Sequence, residues 1–585
     1  MSTEAIAVRA NTAQIARERW LAPDRIVMAG AVVALLVLVV YPAIFLVWGS
    51  VSQDGVFTLE HFQRAFSSAL YYNALLNTVY LGLGVAGLSV LWGLPIAWAV
   101  SRTTMPAKGL VRALVGVSYI TPPFLSSIAY VVLLAPNAGA FNQLFKLMGF
   151  ERGPFNAFTL PTMIFVTSLH TFPFVFLLVS SALESIDASL EQSAQILGAG
   201  RLKNTLSITL PLVMPAILAG ALLAFVNAIS LFGSQAILGL PGRVFTLPTR
   251  IYALFNYPPQ YGLASALSMM LVILTLAGLY VQHRYLQARS YVTVGGKGAR
   301  PDLIDLGRGR YLPLVYCALV FGFSVALPYV FLLVASFTRT WSLGPSAANF
   351  TLENYQFVLF GYEATWRAIR NSIVLASLAA TLAISIGAVI AYIDIRTELP
   401  GRQLLDYLSL VPFGLPGIVL AVAIVQAWLG SPINIYGTLV ILLLAYLTRF
   451  IPVAVRAANA SLRQVDGSLE ETARITGASW LRTFAQVTLP LTRSGLLAGW
   501  ILVFVASLHE VSATILLFTG PTITLAVASF NLYDNGLLEK VCAMAVLTMV
   551  LTTLVLLGAR RFSARRGGAT SQEQLQEQQP VAAGG

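Results

Sequence analysis

The stretch Ser468-Leu-Glu-Glu-Thr-Ala-Arg-Ile-Thr-Gly477, followed by Val487-Thr-Leu-Pro490, has a near copy earlier in the chain. That copy reads Ser189-Leu-Glu-Gln-Ser-Ala-Gln-Ile-Leu-Gly198, followed by Ile208-Thr-Leu-Pro211. The two glycines lie 279 positions apart and so do the two prolines, so the copies align without a gap. Repetition in register means the chain is built twice. A second pair agrees: Gly93-x-x-Ile96-Ala97-Trp98-x-x-x-Arg102-Thr103-x-x-Pro106 recurs as Gly387-x-x-Ile390-Ala391-Tyr392-x-x-x-Arg396-Thr397-x-x-Pro400, at a shift of 294. The difference between the shifts puts about 15 extra residues in the first half, mostly between Asn137 and Leu160.

Hydrophobic residues make up 57% of the 585 and charged residues 10%, with a mean hydropathy of +0.78. A soluble domain is about 25% charged, so this is an integral membrane protein. Its apolar segments are continuous rather than alternating, which argues against a transmembrane barrel. At about 20 apolar residues per crossing, twelve candidate helices emerge. Six lie near 26–48, 74–100, 114–135, 161–182, 213–238 and 263–283, and six near 312–335, 371–395, 404–429, 437–459, 493–518 and 538–558. The expected fold is all-α: two parallel six-helix repeats related by an axis along the membrane normal. The first run follows Arg9, Arg17, Arg19 and Arg25 and is too long for a signal-peptide core, so it reads as a retained span.

With the N-terminus inside, about 26 of the 36 Lys and Arg fall on the cytoplasmic side, about 9 outside, and Arg449 within the membrane. Both termini are therefore expected in the cytoplasm. The net charge of +12 is read as setting this orientation and meeting anionic membrane lipid, not as a nucleic-acid footprint. Cys317 and Cys542 sit far apart in apolar runs and suggest structural thiols, not a disulfide framework or a metal centre. The expected organisation is a cytoplasmic segment 1–25, a first repeat 26–283, a flexible basic linker 284–311, a second repeat 312–558 and a disordered cytoplasmic tail 559–585.

Ser189 with Gln192, and Ser468 with Glu471, have capping-box spacing, which predicts a helix starting at each Ser. Gly198 and Gly477 fall where a left-handed cap would end it. The result is a helix of about eight residues, about 12 Å long, marginal on its own and in need of a surface to pack on. Leu190, Ala194 and Leu197 line one face of the first, and Leu469, Ala473 and Thr476 one face of the second. Two equivalent points of this kind suit a partner with two-fold symmetry.

These loops resemble the EAA signature of membrane subunits of binding-protein-dependent ABC importers: Glu-Ala-Ala, three residues, Gly, nine residues, Ile-x-Leu-Pro. The second copy supplies Glu471-Thr472-Ala473, Gly477 and Pro490. The first supplies Gln192-Ser193-Ala194, Gly198 and Pro211, departing at Gln192, which lacks the charge. The resemblance implies that Ser189, Gln192, Ser193, Ala194, Gly198 and Pro211, with Ser468, Glu471, Thr472, Ala473, Gly477 and Pro490, form coupling loops. These would sit in clefts of an ABC ATPase dimer on the cytoplasmic side. It implies a periplasmic or lipid-anchored solute-binding protein on the outer face and residence in a bacterial inner membrane. The chain itself would be a transport subunit, not an enzyme, and without a cofactor of its own; ATP and Mg²⁺ would belong to the partner ATPase. The sequence agrees independently. Gly295-Gly-Lys297-Gly is its nearest approach to a phosphate-binding loop and lacks the pattern.

Ionisable groups at membrane depth are the remaining candidates. His170 and Arg449 occupy equivalent positions, followed by Pro173 and Pro452. His509 and Glu510 adjoin each other in the eleventh candidate span, where the first half has Ser230 and Leu231. Two readings stand open: these groups line a path between the halves, or His509 or Arg449 pairs with Glu510 to lock helices together. Two-repeat permeases of this kind resemble those for ferric iron, and more distantly those for thiamine, polyamines or phosphonates. The stretches 251–267 and 509–517 lean toward the ferric group. A reading from a different class is a secondary transporter of two six-helix repeats, which leaves the paired loops unexplained.

Overall fold

The computed structural model describes residues 23–187, 193–194, 196–198, 200–287 and 303–577. Among these, ten helices are long and apolar enough to cross a membrane. In chain order they and their companions are α1 (Arg25–Ser50), α2 (Ala69–Arg102), the bent pair α3 (Lys108–Ile120) and α4 (Pro123–Leu134), α5 (Leu160–Ser185), α6 (Thr205–Ser230) and α7 (Tyr261–Tyr285). The second half has α8 (Gly307–Ser336), α9 (Ala364–Arg396), the bent pair α10 (Arg402–Gly414) and α11 (Gly417–Trp428), and α12 (Leu439–Leu462). It continues with the short α13 (Ser468–Ile475), α14 (Phe484–Leu508) and α15, which begins at Leu538. The architecture is all-α, with the same element order in both halves.

Three expectations need correction. The candidate spans 114–135 and 404–429 are not straight: α3 meets α4 at 93°, and α10 meets α11 at 108°. Proline causes both breaks. Pro122 and Pro123 stand at the first and Pro416 at the second; each lacks an amide hydrogen and drives its neighbourhood out of the helical region. Thr121 is extended there (ψ 126°), as is Pro416 (ψ 145°). The candidates 213–238 and 493–518 overshoot, because α6 stops at Ser230 and α14 at Leu508. Finally, the described ends of the linker, 284–287 and 303–311, and the described part of the tail, 559–577, carry regular structure. Ile304 forms a parallel bridge with Thr103, its N–H donating to the Arg102 carbonyl at 2.8 Å. The last helix runs on to Glu577, since propagation adds one hydrogen bond per residue once a helix is nucleated.

Four π-turns follow one rule. Leu36–Val40, Thr205–Thr209, Gly322–Ala326 and Phe484–Thr488 each end two residues before a proline: Pro42, Pro211, Pro328 and Pro490. The proline ring would strike the carbonyl four residues back, and widening the turn relieves it. The prolines of the repeated signature thus stand in the first turn of the α-helical parts of α6 and α14, Leu210–Ser230 and Leu489–Leu508.

Packing interlocks the halves. The first helix of each repeat lies on the other repeat: α1 on α11 and α12, where Tyr41 Oη donates to the Ala427 carbonyl and Thr448 Oγ1 to the Leu38 carbonyl at 2.9 Å. In return α8 lies on α4, with Tyr130 Oη donating to the Phe323 carbonyl at 2.8 Å. Within each repeat the conserved spacing of Gly93 and Gly387 marks closest approach. A methyl at Gly93 would sit 2.8 Å from the Phe172 carbonyl oxygen, and one at Gly387 2.8 Å from the Ala454 carbonyl carbon. Backbone cannot yield as a side chain can. Gly387→Val is therefore expected to cost about 1–3 kcal/mol or more, read as a lower unfolding temperature of the detergent-purified protein, whereas Gly87→Val, with open space around it, leaves that temperature unchanged.

Candidate functional site

The second copy of the repeated signature forms the helix predicted, but its start is built differently. Ser468 is the first helical residue of α13 and makes no side-chain cap; Gly467 precedes it. Asp466 does the capping instead, its Oδ1 accepting the Ser468 N–H at 3.0 Å. Hydrogen bonds from the Ser468 amide and side chain hold the Asp466 carboxyl below the usual carboxylate range. The Ser468–Glu471 capping box does not form, because the Asp466 carboxylate already takes the Ser468 N–H and the Gly467 carbonyl the Glu471 N–H, at 3.2 Å. The other end is as expected. Gly477 is left-handed (φ +90°), with Gly477 N–H to Arg474 O and Ala478 N–H to Ala473 O, both at 3.0 Å: a Schellman motif. Gly198 has φ +86° and Ser193 and Ala194 are helical. Ser189, Leu190 and Gln192 lie outside the described residues.

One carboxylate of α13 faces inward, and it is Glu470. It is 4% exposed. It accepts from Thr488 Oγ1 at 2.9 Å and Tyr392 Oη at 3.1 Å and pairs with Arg396 Nε at 3.3 Å. Arg474 donates to the same tyrosine oxygen at 3.1 Å. Glu471 and Thr472 are exposed and Ala473 half-buried. The exposed residues include large apolar ones among the polar: Ile475 is 86% exposed and Leu469 48%, and at the equivalent end of the first copy Ile196 is 86% and Leu197 87% exposed. Sequence reasoning missed Glu470 and the two isoleucines. A signal existed: Tyr392-x-x-x-Arg396 places a phenol and a guanidinium at a helix end, where they need an acceptor, and the arginine recurs in the first half as Arg102.

The second candidate lies between the repeats. A cavity of about 360 Å³ is walled by Thr121, Pro122, Asn227, Leu231 and Ser234 of the first half and by Arg449, Val505, His509, Glu510 and Ser512 of the second. Within it Arg449 Nε pairs with Glu510 Oε2 at 2.7 Å, and Glu510 Oε1 accepts the Ala513 N–H at 2.9 Å. Gly417 makes room for the guanidinium: a methyl there would sit 2.7 Å from Nη1. His509 Nε2 lies 3.2 Å from Thr552 Oγ1 on α15. His509 and Glu510 stand just past the end of α14, not inside a span, so the carboxylate rides on a turn whose amide it can cap. The cavity gathers Arg449, His509 and Glu510. His170 and Ser230 are not among the residues lining it: His170 is buried within α5, and Ser230 Oγ donates to the Val226 carbonyl of its own helix at 2.7 Å. Among the described residues no group of three or more His, Cys, Asp or Glu could hold a metal ion.

The family of binding-protein-dependent transport system inner membrane components matches residues 65–289 and again 383–567, once per repeat. The ferric transport system permease protein FbpB of Actinobacillus pleuropneumoniae is 29% identical over 541 residues, covering 90% of this chain and 76% of the relative. The molybdenum transport system permease protein ModB of Escherichia coli strain K12 is 30% identical over 213 residues, 35% of this chain and 90% of the relative. A bacterial ABC transporter for import of the acidic polysaccharide alginate, known as a crystal structure, is 22% identical over 48% of this chain and 99% of its own, with a TM-score of 0.39. Two tandem matches spanning most of the sequence mean that this chain belongs to the binding-protein-dependent transport system inner membrane components, as a permease of an ABC importer with both repeats fused in one polypeptide.

Proposed function

We propose that this permease carries ferric iron inward across a bacterial inner membrane, with both termini in the cytoplasm. The observation that carries the substrate reading is that a ferric permease matches across both repeats and 90% of this chain. The molybdenum permease matches a single repeat's worth. In this reading a solute-binding protein delivers iron to the outer face. Ile196 with Leu197, and Leu469 with Ile475, seat in two ATPase subunits, as apolar groups so exposed at cytoplasmic helix ends call for a partner's cleft. Closure of the ATPases on ATP draws the two loops together and opens the cavity outward. Glu510 then gives the passing cation a hard oxygen ligand as Arg449 swings off it, a weak contact suited to passage rather than storage.

The test is ATP-dependent uptake of ferric iron in cells with and without the gene, with thiamine, a polyamine and a phosphonate alongside. Loss of ferric uptake alone supports the reading. Loss of another substrate instead replaces iron while keeping the importer.

A further inference from the structure

Glu470 stands where four helices meet. It belongs to the docking helix α13. Its oxygens take hydrogen bonds from Tyr392, on α9, and from Thr488, at the π-turn that opens α14. Its ion-pair partner Arg396 ends α9 and also donates from Nη2 to the carbonyls of Leu462, at the end of α12, and Val465, just beyond it, at 3.3 and 2.5 Å. Nothing else on α13 is buried. Arg474 adds a link to α9 through the same Tyr392 oxygen, but among the side-chain bonds of α13 it is Glu470 that joins the helix to α14 and, through Arg396, to the end of α12. Charge-assisted hydrogen bonds are short-ranged and directional, and removal of a buried one leaves its partners unsatisfied.

We infer that Glu470 is the positioning residue that transmits movement of the ATPase-docking helix to α9, α12 and α14, so that it couples nucleotide-driven closure to opening of the cavity. This rests on the docking role proposed for α13. The first repeat carries Glu191, Arg102 and Thr209 at the corresponding positions, with Trp98 in place of Tyr392. The linkage is therefore written into both halves, but with the phenol bridge in the second alone.

The experiment uses the intact importer, purified through a tag on this chain with its co-purifying ATPase and placed in proteoliposomes. Val505, which lines the cavity, is replaced by Cys, and a membrane-impermeant maleimide added from outside reports cavity opening under ATP and vanadate. The two native cysteines are buried. This readout needs no cargo, so it stands whether or not iron is the substrate. Glu470→Ala is expected to keep the ATPase bound and hydrolysing while ATP-driven labelling falls about tenfold. Glu470→Gln, which keeps its volume and one accepting oxygen but loses the charge facing Arg396, is expected to fold normally and lose labelling to an intermediate degree. Wild-type labelling in both variants overturns the inference. So does loss of the ATPase from either complex, because Glu470 would then merely shape the docking surface.

Discussion

Glu510→Leu is expected to abolish uptake and to destabilise the protein by about 3–5 kcal/mol, because it strands the Arg449 guanidinium within the membrane. Arg449→Leu does the same from the other side, leaving a carboxylate with only the Ala513 amide. The double variant Arg449→Leu, Glu510→Leu separates the two roles open for this pair. Leucine is what the first repeat already carries at the position equivalent to Glu510, and replacing a buried ion pair by apolar residues is often neutral or stabilising. The unfolding temperature of the purified double variant should therefore recover. Transport should not, if Glu510 meets the cargo. Recovery of uptake with the double variant would make the pair a helix lock and nothing more. The cavity favours the first outcome: the pair sits on the wall between the repeats, beside His509, where moving cargo would meet it.

The second large effect lies at the repeated signature. Ile475→Asp is expected to release the ATPase and stop uptake with no measurable change in unfolding temperature, because an 86% exposed side chain contributes little to the fold. Ile196→Asp should act alike, its exposure being the same. Co-purification of the ATPase with each variant, beside uptake in cells, checks this. A fall in expression together with activity would place the isoleucines in the fold; normal co-purification would remove them from the docking surface. Glu471, exposed on the same helix, adds a charge that Gln192 lacks, so Glu471→Ala should reduce uptake more than Gln192→Ala. Equal losses would show that the charge is not what distinguishes the two loops.

Several details of the site were within reach of the sequence only in part. Prolines 122, 123 and 416 announced a break, yet the hydropathy of 114–135 and 404–429 reads through it, since a right-angled pair of helices is as apolar as a straight one. Glu470 and Glu471 are adjacent acids, and nothing local says which turns inward. Tyr392 and Arg396 decide that, from a helix about eighty residues away in the chain. His170 and Arg449 are equivalent in sequence, yet only Arg449 reaches the cavity, because its acceptor Glu510 has no counterpart in the first repeat.

The sequence by itself determined that the protein is built of two membrane repeats and where the helix of each repeated signature ends. Those properties follow from apolar length and a left-handed glycine, each of which acts over a few residues. Only the tertiary structure decided that the first helix of each repeat crosses to the other, that one carboxylate anchors α13, and that Arg449 closes on Glu510. Each of these joins groups tens to hundreds of residues apart, and burial makes such a match obligatory only after the helices have packed.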